Sequence, residues 1–152
     1  MDFRNISNAG YTLVELVITL TIAGIILVAV IPGFQSFIER NRIRASVNVF
    51  VTHLQLARSE ALKRNRFVVL CPSSDGASCI SDYTQWAKGY IVFVDYDRNK
   101  LRDNNEPLLK YYQGEKEKVT IYSSSNYRRI VAYYPSGMAW GLNTSIRFCA
   151  KV

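Results

Sequence analysis

This sequence is short of histidine, of cysteine and, over one long stretch, of charge. Its 152 residues hold one histidine, His53, and no serine or cysteine stands in a recognisable nucleophile motif. A lone histidine in mid-helix beside core residues is usually structural, and no acid–base constellation can be assembled around it. Catalysis is therefore excluded from the expected functions, and no cofactor is called for. Three cysteines, at 71, 79 and 149, make an odd count that leaves one over, free or intermolecular. Internal repeats, linkers and low-complexity segments are absent too. The length leaves room for one anchor and one compact domain.

The missing charge says most. From Tyr11 to Ile31 every residue is apolar, Gly or Thr except Glu15. That length matches the roughly 20 residues that cross a ~30 Å hydrocarbon layer as a helix. A carboxylate inside such a span costs about 2.5–3.5 kcal/mol on insertion scales, so Glu15 calls for a partner or a job. Met1 to Gly10, ahead of the span, are polar and lack the apolar run of an ordinary signal peptide. Arg40, Arg42 and Arg44 follow it, against Arg4 and Asp2 in front. By the positive-inside rule, that asymmetry would put the C-terminal side in the cytoplasm. The formal net charge of +7 favours contact with anionic surfaces such as nucleic acid or lipid headgroups.

Past the span, Pro32 is expected to kink a continuing helix near Val28 rather than end it. Phe34 to about Asn65 reads as amphipathic helix. Ile43, Val47, Phe50, Leu54, Ala57 and Ala61 recur at steps of four and three as one stripe, flanked by Arg42, Arg44, Arg58, Glu60, Lys63 and Arg64. The pattern then turns to β. Phe67–Cys71, Trp86–Asp95, Pro107–Tyr112, Val119–Tyr122, Ile130–Tyr134 and Ser145–Cys149 read as short strands, with turn chemistry at Pro72–Gly76. Gly137, Gly141 and Asn143 punctuate the last connection. The expected fold is α+β: a long N-terminal helix, transmembrane in its first half and amphipathic in its second, packed on an antiparallel sheet. The spacing of Cys71 and Cys79 suits a local hairpin closed by a disulfide, with Cys149 the rival for either partner.

Two constellations invite a ligand. In the loop from Asp95 to Glu106, oxygen-bearing Asp95, Asp97, Asn99, Asp103 and Glu106 fall at positions 1, 3, 5, 9 and 12 of a calcium-loop template. Lys100 occupies the position where that template needs glycine, and Arg98 and Arg102 add repelling charge, so no metal is assigned. Near the C-terminus, Tyr127, Arg128, Arg129, Tyr133, Tyr134, Trp140, Arg147 and Lys151 interleave bases and aromatics. Phosphate contacts with stacking are what non-specific DNA binding uses.

Gly10-Tyr11-Thr12-Leu13-Val14-Glu15-Leu16 resembles the processing site of type IV pilins and type II secretion pseudopilins. The resemblance implies a leader at residues 1–10, a membrane and filament-core helix at 11–31 and a pilin head at 32–152. It implies cleavage by a prepilin peptidase between Gly10 and Tyr11, with Tyr11, in place of the usual Phe, N-methylated. Glu15 would pair with the N-terminal ammonium of a neighbouring subunit, two buried opposite charges being tolerable together and costly apart. A proline near position 32 fits the family too. Leu54–Leu62 (LQLARSEAL) and Trp86–Asp95 (W-x-x-G-aromatic-x-V-F-x-D) resemble signatures of the GspH/FimT/FimU group, where cysteines like Cys71 and Cys79 also occur.

The implied function is that of a minor pilin of a type IV pilus, helping to initiate or cap the filament in support of assembly, motility, adhesion or DNA uptake. A minor pseudopilin of type II secretion is the alternative, and a DNA-binding tip subunit a further one. Its partners would be other pilins or pseudopilins, the peptidase and the bacterial inner membrane. The leader would be cytoplasmic and the head periplasmic, overriding the positive-inside rule, and a cysteine pair suits such an oxidising compartment. FimT-like relatives carry DNA binding in an Arg-rich tail. Here only Ala150, Lys151 and Val152 follow Cys149, so no DNA-binding residue is assigned.

Overall fold

A computed structural model of the protein describes residues 10–82, 85–114, 119–123, 130–140 and 145–150. Among them run one helix, α1 (Leu13–Arg64), and seven strands: β1 (Phe67–Pro72), β2 (Gly89–Asp95), β3 (Leu108–Gln113), β4 (Val119–Ser123), β5 (Val131–Tyr133), β6 (Ala139–Trp140) and β7 (Ile146–Ala150). The chain divides into two compact units at Ile38/Glu39.

Local chemistry sets both ends of α1. Thr12 Oγ1 accepts a hydrogen bond from the Glu15 amide at 3.3 Å. Thr-x-x-Glu is the spacing of a capping box, and it puts an acid in the first turn, where the helix dipole favours one. The helix runs on through position 32 and stops after Lys63 and Arg64, cations that suit its last turn. Asn65 then takes a left-handed φ of 52°. The Arg66 amide reaches the Ala61 carbonyl and the Asn65 amide that of Leu62, a Schellman-type ending.

In the second unit the expected stripe packs as a core face, with Phe50, Ala57 and Ala61 buried and Ile43, Val47 and Leu54 half-buried. Phe50 meets Trp86, Tyr90 and Phe148 edge-on, at centroid distances of 5.8, 5.3 and 5.7 Å. Val68, Leu70, Tyr90, Val92 and Val94 join that cluster. Phe67, Val69, Cys71, Ile91 and Phe93 form a second one with Cys79, Tyr111 and Trp140. β1 and β2 are thus buried at every position, which is why they read as continuous apolar runs without alternation.

Three details differ from the sequence-based expectation. Trp86 to Lys88 lie in a 3-10 turn, Gln85–Lys88, and the strand starts at Gly89. Gly89 has φ 135°, and a Cβ there would come within 2.5 Å of the Tyr112 carbonyl oxygen. Only glycine fits. The strands also form two sheets rather than one. Five lie in the order β3-β2-β1-β5-β6, and β4 pairs with β7 alone, from Val119 opposite Ala150 to Ser123 opposite Ile146. Finally, β6 has no counterpart among the expected strands. Two residues long, it pairs with β5 across a turn in which the Tyr134 amide bonds the Met138 carbonyl at 2.9 Å and Gly137 has φ 76°. Gly141 and Asn143 lie outside the described residues.

Cys71 and Cys79 are bonded, with Cα atoms 5.6 Å apart. Inside their loop, Asp75 accepts the amides of Ala77 and Ser78 and the hydroxyls of Ser78 and Ser73. Those donors hold its carboxyl well below the usual carboxylate range. Cys149 is free and exposed.

Candidate assembly surface

Every described side chain from Gly10 to Val28 is exposed, including Leu13 at 80 % and Val28 at 77 %. This segment is apolar all round, so no orientation on a small domain of its own would hide it. Its hydroxyls turn inward. Thr19 donates to the Leu16 carbonyl at 2.9 Å and Thr21 to that of Val17 at 2.7 Å. Intrahelical bonding of this kind leaves few polar groups for a hydrocarbon surrounding to penalise. Glu15, exposed in the first turn, is the segment's one charge. Gly10 and Tyr11 stand exposed just ahead of the capping Thr12.

The Asp95–Glu106 loop is closed by its own amides. Asp95 is buried. One of its carboxylate oxygens accepts the Arg98 amide at 2.6 Å and the other the Lys100 amide at 3.0 Å. Glu106, also buried, accepts the amides of Tyr96 and Asp103 at 2.7 and 3.0 Å. Asp97 accepts from the Asn99 amide and side chain, and Asn99 reaches Asp103 at 3.4 Å. Asp95, Asp97 and Glu106 hold carboxylate oxygens within 4.8 Å of one another. Burial pushes the Asp95 carboxyl up, and the Glu106 charge adds to the push.

The missing glycine proves no obstacle to a calcium-type turn, since Lys100 takes the left-handed φ of 67° itself. The amide bonds nevertheless account for both buried carboxylates without a cation, and no metal is assigned. Lys100 Nζ sits 4.1 Å from the Trp140 ring centroid, and Arg102 donates to the Ala77 carbonyl at 2.9 Å. These contacts stitch the loop to β6 and to the disulfide loop.

His53, 8 % exposed, has Nδ1 2.8 Å from the Tyr90 hydroxyl, and Tyr90 stacks on Tyr112 at 4.9 Å. Burial and the Lys110 charge push its pKa down. It holds the helix to the sheet. A cavity of about 490 Å³ opens among Phe50, Leu54, Tyr133, Trp140 and Phe148. No sequence pattern announced it, because its walls come from one helix and three strands. Of the C-terminal bases, Arg147 is exposed on β7 opposite Tyr122, while Arg128, Arg129 and Lys151 lie outside the described residues.

A family model described as Type II transport protein GspH matches residues 46–152. The chain belongs to the GspH family. The model for the prokaryotic N-terminal methylation motif matches residues 6–31, the apolar segment and its approach. Pilin-like protein PilA1 of Thermus thermophilus is 28 % identical over 124 residues, covering 82 % of this chain and 66 % of the relative. This GspH-family chain thus spans just under two thirds of that protein's length. The type IV minor pilin FimU of Pseudomonas aeruginosa PAO1, in two crystal forms, has the same fold. The TM-scores are 0.55 and 0.51 at 19 % and 18 % identity, over 74 % and 70 % of this chain and 75 % and 73 % of FimU. Pilin-like proteins of this family are structural subunits, not enzymes. The methylation motif and the apolar helix together point to membrane anchoring, and the family points to assembly with other pilins.

Proposed function

We propose that this GspH-family protein is a minor pilin, held in the inner membrane by residues 11–31 and then drawn into a filament through the same helix. The observation carrying this reading is the segment Leu13–Val28, exposed and apolar on every side with Glu15 its single charge. Such a surface suits lipid and, equally, a bundle of similar helices, because the backbone bonds are internal in both. A prepilin peptidase would remove residues 1–10, leaving Tyr11 as the methylated N-terminus. Its ammonium is the partner that Glu15 of the adjoining subunit needs. Pro32 would kink the helix where it leaves the bilayer, and residues 32–152 would form the periplasmic head, with the leader cytoplasmic. Cys71–Cys79 suits that compartment.

Intact-mass and N-terminal sequencing of the mature protein test the processing, with Tyr11 the expected first residue. Glu15→Ala should leave the chain in the membrane but keep it out of sheared filaments. A mature chain beginning at Met1, or normal incorporation of that variant, would sink the reading. A type II secretion pseudopilus is the second reading, favoured by the description of the matching family model. Copurification of the filament with identification of its other subunits separates the two.

A further inference from the structure

We infer that Arg40, Arg42 and Arg44 form a docking collar for the phosphates of anionic phospholipid. The inference rests on the membrane-anchor reading above. All three side chains are exposed, and among the described residues none has an ion-pair or hydrogen-bond partner. Glu39 is the only acid between Leu16 and Ser59. Arg40 and Arg44 stand four residues apart on one helical face, a like-charge spacing that destabilises a helix. Arg42, roughly half a turn round, points away from them, so cations surround the helix on more than one side. Among the described residues no ion pair offsets this repulsion, which an anionic surface would relieve.

The placement favours a lipid surface over any other anion. Phe34, Phe37 and Ile38, all exposed, extend the apolar segment, and the arginines follow two, four and six residues after Ile38. Within the second unit, Arg40 to Arg44 take up roughly 6 Å at 1.5 Å per helical residue, comparable to the headgroup layer, which is about 5–8 Å deep on each side of the hydrocarbon. Long arginine stems lie along apolar surface with the guanidinium at the polar level. The planar fork then meets phosphate oxygens two at a time.

The test uses the full chain in a neutral detergent, offered equal amounts of phosphatidylglycerol and phosphatidylcholine with matched acyl chains. Native mass spectrometry reads the retained lipid. Each basic residue close to an anionic surface is worth on the order of fivefold in binding, so three arginines give a preference of up to about 100-fold for phosphatidylglycerol. Arg40→Ala, Arg42→Ala and Arg44→Ala together should bring the ratio near one. The three Lys replacements should keep part of it, and added salt should erode it in the unaltered chain.

Parity between the two lipids in the unaltered chain overturns the inference, as does a preference that survives the alanine variant. Capture of a duplex oligonucleotide by the same arginines without any lipid preference overturns it too. Should the alanine variant lose helix by circular dichroism, the lysine variant and the salt series decide. Alkaline carbonate separates the collar from the anchor. Release of the unaltered chain from membranes removes the anchor reading and this inference with it, whereas a carbonate-resistant chain at lipid parity removes the inference alone.

Discussion

From Leu13 to Val28 every side chain of α1 is exposed, whereas between Ile43 and Ala61 the same helix buries one stripe against its own sheet. Both stretches are apolar and helical, and they differ in how the apolar residues are spaced. The first has no polar side to turn outward, so no fold of this chain can satisfy it. The second alternates by threes and fours, so a single sheet face does. Apolar content by itself therefore does not locate a core. Periodicity tells which surface the molecule covers itself and which it leaves for lipid or other subunits.

That contrast breaks most sharply by substitution. Phe50→Ala removes the ring at the centre of three edge-on contacts and should cost about 3–5 kcal/mol in urea unfolding of the full chain in detergent. Opening the Cys71–Cys79 bridge, by reduction or by Cys79→Ser, should cost roughly 2–3 kcal/mol for so short a loop. Its effect belongs to the second unit and should appear in the near-ultraviolet signal of that unit's aromatics. Asn65→Ala, forced to hold a left-handed φ, should cost about 1 kcal/mol, with Asn65→Gly tolerated.

His53 sharpens the comparison by pH. Its pKa in the folded chain lies below the ordinary 6.5, so the unfolded chain binds the extra proton first. Stability should be full above about 6.5, fall as pH drops through the window below it, and level off once the folded form is protonated. Tyr90, Tyr112 and Lys110 are the groups facing the ring. Unfolding midpoints from pH 7.5 to 5 should lose this slope in His53→Gln. At the bottom of the scale, Ile22→Ala in the exposed segment should change stability by no more than about 0.5 kcal/mol. A large loss there would mean that the segment is covered by the chain itself.

Much of this was legible because it is local. Glu15 stood out against an uncharged run, the stripe through Phe50 and Ala61 showed its period, and the apolar runs of β1 and β2 announced strands, though not that both faces are buried. The capping box at Thr12 and Glu15 is spelled out in four residues too, but the acid's place in an apolar span draws the eye to a partner outside the chain instead. β6 was not legible, since two residues carry no alternation. Trp86 read as strand because its neighbours do, yet the close approach of the Tyr112 carbonyl to Gly89 makes it the end of a turn. In the acidic loop, the residue type at Lys100 argued against a left-handed backbone that the amide bonds to Asp95 impose.

Sequence alone determined the uncharged helix with its single acid, the capped start and left-handed finish of α1, and the face it turns to the sheet. These depend on residues within a turn or two of one another, where spacing is geometry. Only the tertiary structure decided that β1 lies between β2 and β5 while β4 pairs with β7, and that His53 meets a hydroxyl 37 residues away. It also decided which two of three cysteines join. Strand order and such long-range meetings depend on the closing of long loops, a cost that no single segment records.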